Sequence, residues 1–352
     1  MTAAPPLCTI VPPYVLDHLA EAGHEPAARS LLLDAAHRST RHAALPAAPA
    51  APAAPGTPGT PGATGLSRVI ADTGHSERLP GRTVRTEGQA PVADRSADQA
   101  YDGLGATFAL YADAFGRRSV DGRGLRLDAT VHYGQDYDNA FWNGKRMVFG
   151  DGDGEVFGDF TACIDVIGHE LTHGVTQFTA GLEYRDQPGA LNESVSDVFG
   201  SLVKQYALRQ GAADADWLIG AGLLAPGVQG VALRSMKAPG TAYDDPRLGK
   251  DPQPAHMRDY VQTAGDNGGV HINSGIPNHA FYLLATALGG SAWECAGRIW
   301  YDALTGRRLP ADADFTAFAR ATVAAAKARY PDRSSIADTV TAAWAQVGVS
   351  PG

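Results

Sequence analysis

The stretch IDVIGHELTHGVTQF, Ile164–Phe178, places apolar side chains at Ile164, Ile167, Leu171, Val175 and Phe178, three or four residues apart. That period is the apolar stripe of an amphipathic helix. On such a helix His169 and His173 project from one face, with Glu170 beside them. HExxH on a helix is the arrangement in which two imidazoles bind one zinc ion and the glutamate acts as general base. Alone, the pattern leaves open a plainer alternative, two surface histidines on an amphipathic helix.

A second stretch, ALNESVSDVFG (Ala190–Gly200), favours the metal. Glu193 follows His173 after nineteen intervening residues and opens another helical pattern, so it can complete a His₂Glu set. Three protein ligands with a fourth position left open describe a catalytic zinc rather than a structural one. Asp197, four residues past Glu193 on the same face, reads as the acceptor for the second ring N–H of His173, and Asn192 as that of His169. The alternative for Asp197 is an ordinary solvated helix charge.

Composition bounds the rest. The 352 residues are 44% apolar and 19% charged, a globular balance with room for more than one unit. The excess of 38 acidic over 29 basic residues, a net charge of -9, argues against nucleic acid or anionic lipid as partner. Cys8, Cys163 and Cys295 are too few and too scattered for a disulfide framework. The opening MTAAPPLCTIVPPYVLDHLA lacks a basic leader, and its prolines break the apolar run, so no Sec signal peptide is read. No window approaches the roughly 18 apolar residues of a membrane span. The expectation is a monomer, secreted without a Sec signal peptide or cytoplasmic.

Along the chain, AALPAAPAAPAAPGTPGTPGATG (Ala43–Gly65) cannot bury enough side chain to offset its ordering entropy and reads as a linker. It divides residues 1–42, with a helical pattern over Tyr14–His37 interrupted near Pro26, from the remainder. A segment that short has no core of its own and must dock or stay unfolded. Beyond the linker, RTVRTEG and LDATVHYG read as strands flanking a helix at Ala97–Phe115. From Ile164 onward the patterns are helical, at about Asp165–Ala180, Leu191–Arg209, Ile276–Ala287, Ala292–Leu304, Ala313–Ala328 and Ser335–Trp344. The fold class is α+β. The organisation expected is a segment 1–42, a linker 43–67 carrying a processing site, a mixed half 68–184 and a helical half 185–352, with the site in the cleft between the halves.

Over nearly all of residues 68–330 the chain resembles the thermolysin family of zinc metallopeptidases, and within it the protealysin-like precursors with short propeptides. The resemblance rests on NAFWNGKRMVFGDGDG (Asn139–Gly154), HELTH, GLEY (Gly181–Tyr184) with ALNESVSD, ALRSM (Ala232–Met236) and DNGGVHINSGIPN (Asp266–Asn278). It implies a metalloendopeptidase in which Glu170 moves the proton of the attacking water, and His271, oriented by Asp266, meets the developing oxyanion together with Tyr184. It implies protein or peptide substrates held as an added strand by Asn139 and the backbone of Ala140, with Arg234 on a substrate carbonyl. Phe157, Phe160, Val166, Ile219 and Leu233 would line the pocket for the residue after the scissile bond, favouring bulky apolar residues there. Without the resemblance, His271 in a Gly-rich turn reads as structural.

The same resemblance makes LCTIVPPYVL (Leu7–Leu16), with Cys8, Pro12, Pro13 and Tyr14, a propeptide strand lying along the cleft against Asn139 and Ala140 in a zymogen that trims itself, Pro12 and Pro13 resisting cleavage because they lack N–H donors and have a fixed φ. Cys8 is open to two readings, a thiolate on the free zinc position or an unremarkable cysteine. A protein inhibitor is a further class of partner. The chain also departs from the family. Of the carboxylates that hold its paired calcium ions, Asp165 and Asp216 remain, while Lys204, Leu218 and Ala221 stand where glutamates would. LAPGVQGV (Leu224–Val231) likewise has no carboxylate for a second calcium site. The expectation is zinc without the double calcium site, Lys204 pairing with the two aspartates. Two competing readings are a catalytically silent binding protein of the same fold, which has no need of Glu170, Tyr184 and His271 together, and a zinc hydrolase of small amides, which needs a closed pocket.

Overall fold

The computed structural model describes residues 8–43, 65–306 and 308–352. Most of the predicted linker, and most of the processing region expected between about His42 and Arg68, lie outside them. The N-terminal segment docks. It runs as a two-residue strand Cys8–Thr9 (β1) and helices Pro13–Glu21 (α1) and Glu25–Ala43 (α2). Ile10, Val11, Val15, Leu16 and Leu19 are all at most 2% exposed and share one buried cluster with the rest of the chain. Burying each such side chain is worth about 1.5–3 kcal/mol. The helical break lies at Gly23 (φ 86°), where left-handed backbone follows α1, and not at Pro26, which falls in the first turn of α2 and has no intrahelical N–H bond to lose there.

The mixed half contributes Arg68–Asp72 (β2), Arg82–Thr86 (β3), Arg95–Phe115 (α3), Leu127–Val131 (β4), Ala140–Trp142 (β5) and Met147–Phe149 (β6). They form a six-stranded sheet in the order β1-β5-β6-β4-β2-β3, so the N-terminal strand is the edge strand, antiparallel to β5. The strands expected from RTVRTEG and LDATVHYG are β3 and β4; β5 and β6 are too short to show alternation. Helix α3 begins on Asp94, whose side chain accepts from Ala97 N.

His132 Nδ1 sits 2.9 Å from Asp151 and its Nε2 3.1 Å from Asp94. The bond to Asp151, helped by Asp94, outweighs burial and raises this imidazole to about 9. A raised histidine stabilises fully below its unfolded value near 6.5, and the contribution fades as pH rises through about 9. His132→Asn, tolerable at φ 54°, should therefore lower the melting temperature at pH 6 and leave it unchanged near pH 10, read by paired thermal melts.

Ile164–Gln177 (α4) and Asp186–Leu208 (α5) pack antiparallel at the centre. Their backbones nearly touch at two glycines. A Cβ on Gly200 would lie 2.4 Å from Asp165 O, and one on Gly168 3.1 Å from Gly200 Cα. This approach sets residues of α5 directly over the imidazoles of α4. A ribbon of Leu218–Ile219 (β7) with Arg234–Ser235 (β8) follows, then helices Asp266–Asn273 (α6), Gly275–Leu288 (α7), Ala296–Thr305 (α8), Phe315–Arg329 (α9) and Ser334–Gln346 (α10). Among the described residues no helix is long and apolar enough to cross a membrane.

Candidate active site

The first turn of the site is the face shared by α4 and α5. His169 Nε2 and His173 Nε2 are 3.1 Å apart, and Glu193 faces them at 3.4 Å from the first and 3.5 Å from the second. His169 Nδ1 pairs with Asp197 at 2.8 Å, and His173 Nδ1 with Asn192 at 2.9 Å and Ser196 Oγ at 3.1 Å. This reverses the expected pairing of Asp197 with His173 and Asn192 with His169. The helices run antiparallel, so a later residue of α5 meets an earlier residue of α4. Asp197 and the Asn192 carbonyl only accept, so both Nδ1 atoms donate, and in the neutral rings that bind a metal both Nε2 atoms carry lone pairs. Those lone pairs point at each other and at Glu193, whose Oε2 is buried without a hydrogen bond. Converging lone pairs in a dry site call for a cation, and His₂Glu is a zinc donor set.

Glu170 is fully buried beside this trio, with Oε2 accepting from Trp142 N at 2.9 Å and Oε1 without a hydrogen bond. Burial pushes its carboxyl up to about 8. From the other wall Tyr184 donates its hydroxyl to Glu193 and stands 3.2 Å from His271 Nε2. His271 Nδ1 pairs with Asp266 at 2.6 Å, and Asp266 also accepts the His271 backbone N–H at 2.8 Å. Burial disfavours the imidazolium, but Asp266 and Glu193 outweigh it and raise the His271 value. The turn that delivers His271 is a kinked helix, with left-handed backbone at Asn267, Gly268 and Gly269 (φ 49°, 87° and 77°).

Below these groups Asp197 is a hub. Its two oxygens accept from Arg234 Nε and Nη2, both at 2.8 Å, and from Asn278 Nδ2 at 2.8 Å, besides His169. Arg234, 1% exposed, spends its remaining reach on Ile10 O at 3.0 Å. The rest of β1 and its continuation are held in the same way. Thr9 O lies 3.1 Å from His271 Nε2, Ile10 N donates to Ala140 O at 3.1 Å, and Val11 N donates to Asn139 Oδ1 at 2.9 Å.

A family profile described as "Thermolysin metallopeptidase, catalytic domain" matches residues 72–177, and one described as "Thermolysin metallopeptidase, alpha-helical domain" matches residues 180–349. The chain belongs to the thermolysin family. An "Extracellular metalloprotease" of Pectobacterium carotovorum subsp. carotovorum is 51% identical, covering 98% of this chain and 97% of that one. A "Thermolysin" of Alicyclobacillus acidocaldarius subsp. acidocaldarius is 43% identical over 73% of this chain and 46% of its own. Among solved structures, the "Precursor of Protealysin, Metalloproteinase from Serratia proteamaculans" superimposes with a TM-score of 0.87 at 54% identity, covering 97% of this chain and 100% of that one. The chain is thus a zinc metalloendopeptidase of the two-part thermolysin fold, a mixed half followed by a helical one.

Against the family pattern, the apolar residues expected to form a pocket are all buried. Phe157, Phe160, Val166 and Ile219 are at 0% exposure and Leu233 at 4%, and Ile10 belongs to the same apolar cluster. Lys204 Nζ lies 3.3 Å from Asp165 Oδ2, 2.8 Å from Asp216 Oδ2 and 3.3 Å from Leu218 O. Burial works against its charge, but the two aspartates outweigh it and raise the ammonium's value.

The strand expected along Asn139 and Ala140 meets them through Ile10 and Val11, while its prolines lie just beyond. Pro12 is the N-cap of α1 and Pro13 its first residue, where a fixed φ starts a helix well. Tyr14 packs half-buried on the main core. Also missed was Asp34 of α2, which is 1% exposed and accepts from Tyr137 OH at 2.5 Å and from Asn139 Nδ2 at 3.0 Å. The signal was available in outline: Ser30, also fully buried, precedes Asp34 by one helical turn, giving α2 a polar docking face.

Proposed function

We propose that this chain is a latent endopeptidase precursor that, once residues 1–42 are removed, cleaves peptide bonds on the amino side of bulky apolar residues. One observation carries the reading: the site already holds a peptide strand, with Thr9 O at His271, Ile10 N at Ala140 O, Ile10 O at Arg234 and Val11 at Asn139. A substrate would pair with β5 through the same groups once the segment leaves. When bound by His169, His173 and Glu193, zinc would supply a Lewis acid that polarises the scissile carbonyl and acidifies the attacking water. Glu170 takes that water's proton and passes it to the leaving amine. His271 and Tyr184 donate to the oxyanion, and Asp266 keeps the imidazole charged and aimed. Asp197 and Asn192 fix the ring orientations of His169 and His173.

The fully buried Ile10 supports the apolar pocket. After trimming, peptides with Leu, Ile, Val or Phe after the scissile bond should show kcat/KM roughly 10- to 150-fold above the glycine peptide, the worth of one buried apolar side chain. Equal rates for a peptide with aspartate there would refute the pocket. A silent binding protein would cleave neither. The relative named extracellular supports action outside the cell.

Lys204 takes the charge-balancing place of the family's paired calcium ions in this reading. A calcium chelator too weak to strip zinc should leave the melting temperature unchanged. Lys204→Ala should lower stability by about 3–5 kcal/mol, because Asp165, 2% exposed, would lose its charge partner and keep only the N–H groups of Val166 and Gly220. A large chelator-induced drop would show that calcium still stabilises the fold.

A further inference from the structure

Side chains alternate along a strand, so Cys8 and Ile10 share a face while Thr9 takes the other. Ile10 is pinned by three neighbouring backbone anchors, through Ala140, Arg234 and Asn139, and its side chain is fully buried. The residue two places earlier is thereby fixed over the floor formed by α4 and α5. There Cys8, 6% exposed, packs with Tyr184 and Val270. Its sulfur, a ring nitrogen of His173 and a carboxylate oxygen of Glu193 lie within 4.8 Å of one another. Glu193, 1% exposed, still has an oxygen without a hydrogen bond. The register therefore brings the chain's own sulfur to the edge of the donor set, on the side that the two helices leave open.

We propose that Cys8 is the fourth ligand of the zinc in the precursor, its thiolate occupying the position that water takes in the trimmed enzyme. The inference rests on the zinc-peptidase reading above and adds the device that keeps it silent. Binding releases the thiol proton and one water. Removal of the segment returns the water to the metal and a proton to the sulfur, with no change of oxidation state. The backbone anchors alone would leave the Thr9–Ile10 peptide laid across the site with its carbonyl at His271, as a substrate's would be. A sulfur in the water's place denies Glu170 its reactant. Zinc favours thiolate, and a cysteine held beside a metal loses its proton readily. The plainer alternative is that Cys8 serves only as a small apolar side chain against Tyr184 and Val270.

Cobalt(II) separates the two. The full-length Glu170→Ala protein, which does not trim itself, is loaded with Co²⁺ and its spectrum is recorded. Coordination by Cys8 predicts visible ligand-field bands together with a near-ultraviolet sulfur-to-cobalt charge-transfer band. That band should vanish in Cys8→Ser and persist in Cys163→Ser. Ligand-field bands without charge transfer, or a band lost with Cys163 and kept without Cys8, would overturn the proposal while leaving the metal centre intact. Failure to take up either cobalt or zinc would overturn the zinc reading itself, and this inference with it. Should Cys8→Ser fail to fold, the same band is followed as added trypsin removes the segment from the Glu170→Ala protein: its loss upholds the ligand, and its persistence after full removal overturns it.

Discussion

Replacing Glu170 by alanine should abolish turnover and leave stoichiometric zinc in place. Glu170 lies close enough to His169 and His173 to be mistaken for a ligand, so the metal content is the informative half of the result. Its Oε2 is committed to Trp142 N, and Oε1 has no hydrogen bond, a carboxylate placed beside the metal donors without needing to bind the ion. Losing a general base costs about 10²- to 10⁴-fold on its own. The variant should also stay full length on storage unless another protease is added. Zinc lost together with activity would instead make Glu170 a ligand.

Asp197→Ala should be the most damaging change outside the reacting groups. The carboxylate is fully buried and receives Arg234 twice, His169 and Asn278. Burial opposes its charge, yet Arg234 and His169 hold it at about 2. A depressed carboxylate contributes above its unfolded value near 3.9, and the contribution is lost only as pH falls through about 2, so it is fully present at neutral pH. Truncation strands the Arg234 guanidinium in the core, a loss of about 3–5 kcal/mol. It also frees the His169 ring, lowering zinc affinity by about 10- to 100-fold. Thermal melts and a zinc titration read the two effects separately. A melting temperature and an affinity both unchanged would mean that the hub is ornamental.

The zinc trio was legible because its spacing is a helical property: residues four apart share a face whatever surrounds them, and α5 carried its own helical pattern. The partner of each imidazole was not, since it depends on the antiparallel direction of α5, which no local pattern encodes. His271 shows the same limit in another form. Asn267, Gly268 and Gly269 read as a turn because their left-handed backbone belongs to one, yet they open into a helix that ends in the site. The strand β1 is two residues long and exists only because β5 is there to pair with it. Its register decides that Ile10 and Val11, and not the prolines, meet Ala140 and Asn139. Asp34 was missed because the partners that bury it, Tyr137 and Asn139, come from more than a hundred residues away.

The most direct test of a latent zinc endopeptidase is a time course of the purified full-length protein with zinc, following chain mass and casein cleavage together, with and without a strong chelator. A cut between about His42 and Arg68 is expected from the sequence, with casein cleavage rising in step with it and both stopped by the chelator. Full-length protein already as active as the trimmed form, or cleavage indifferent to the chelator, would contradict it.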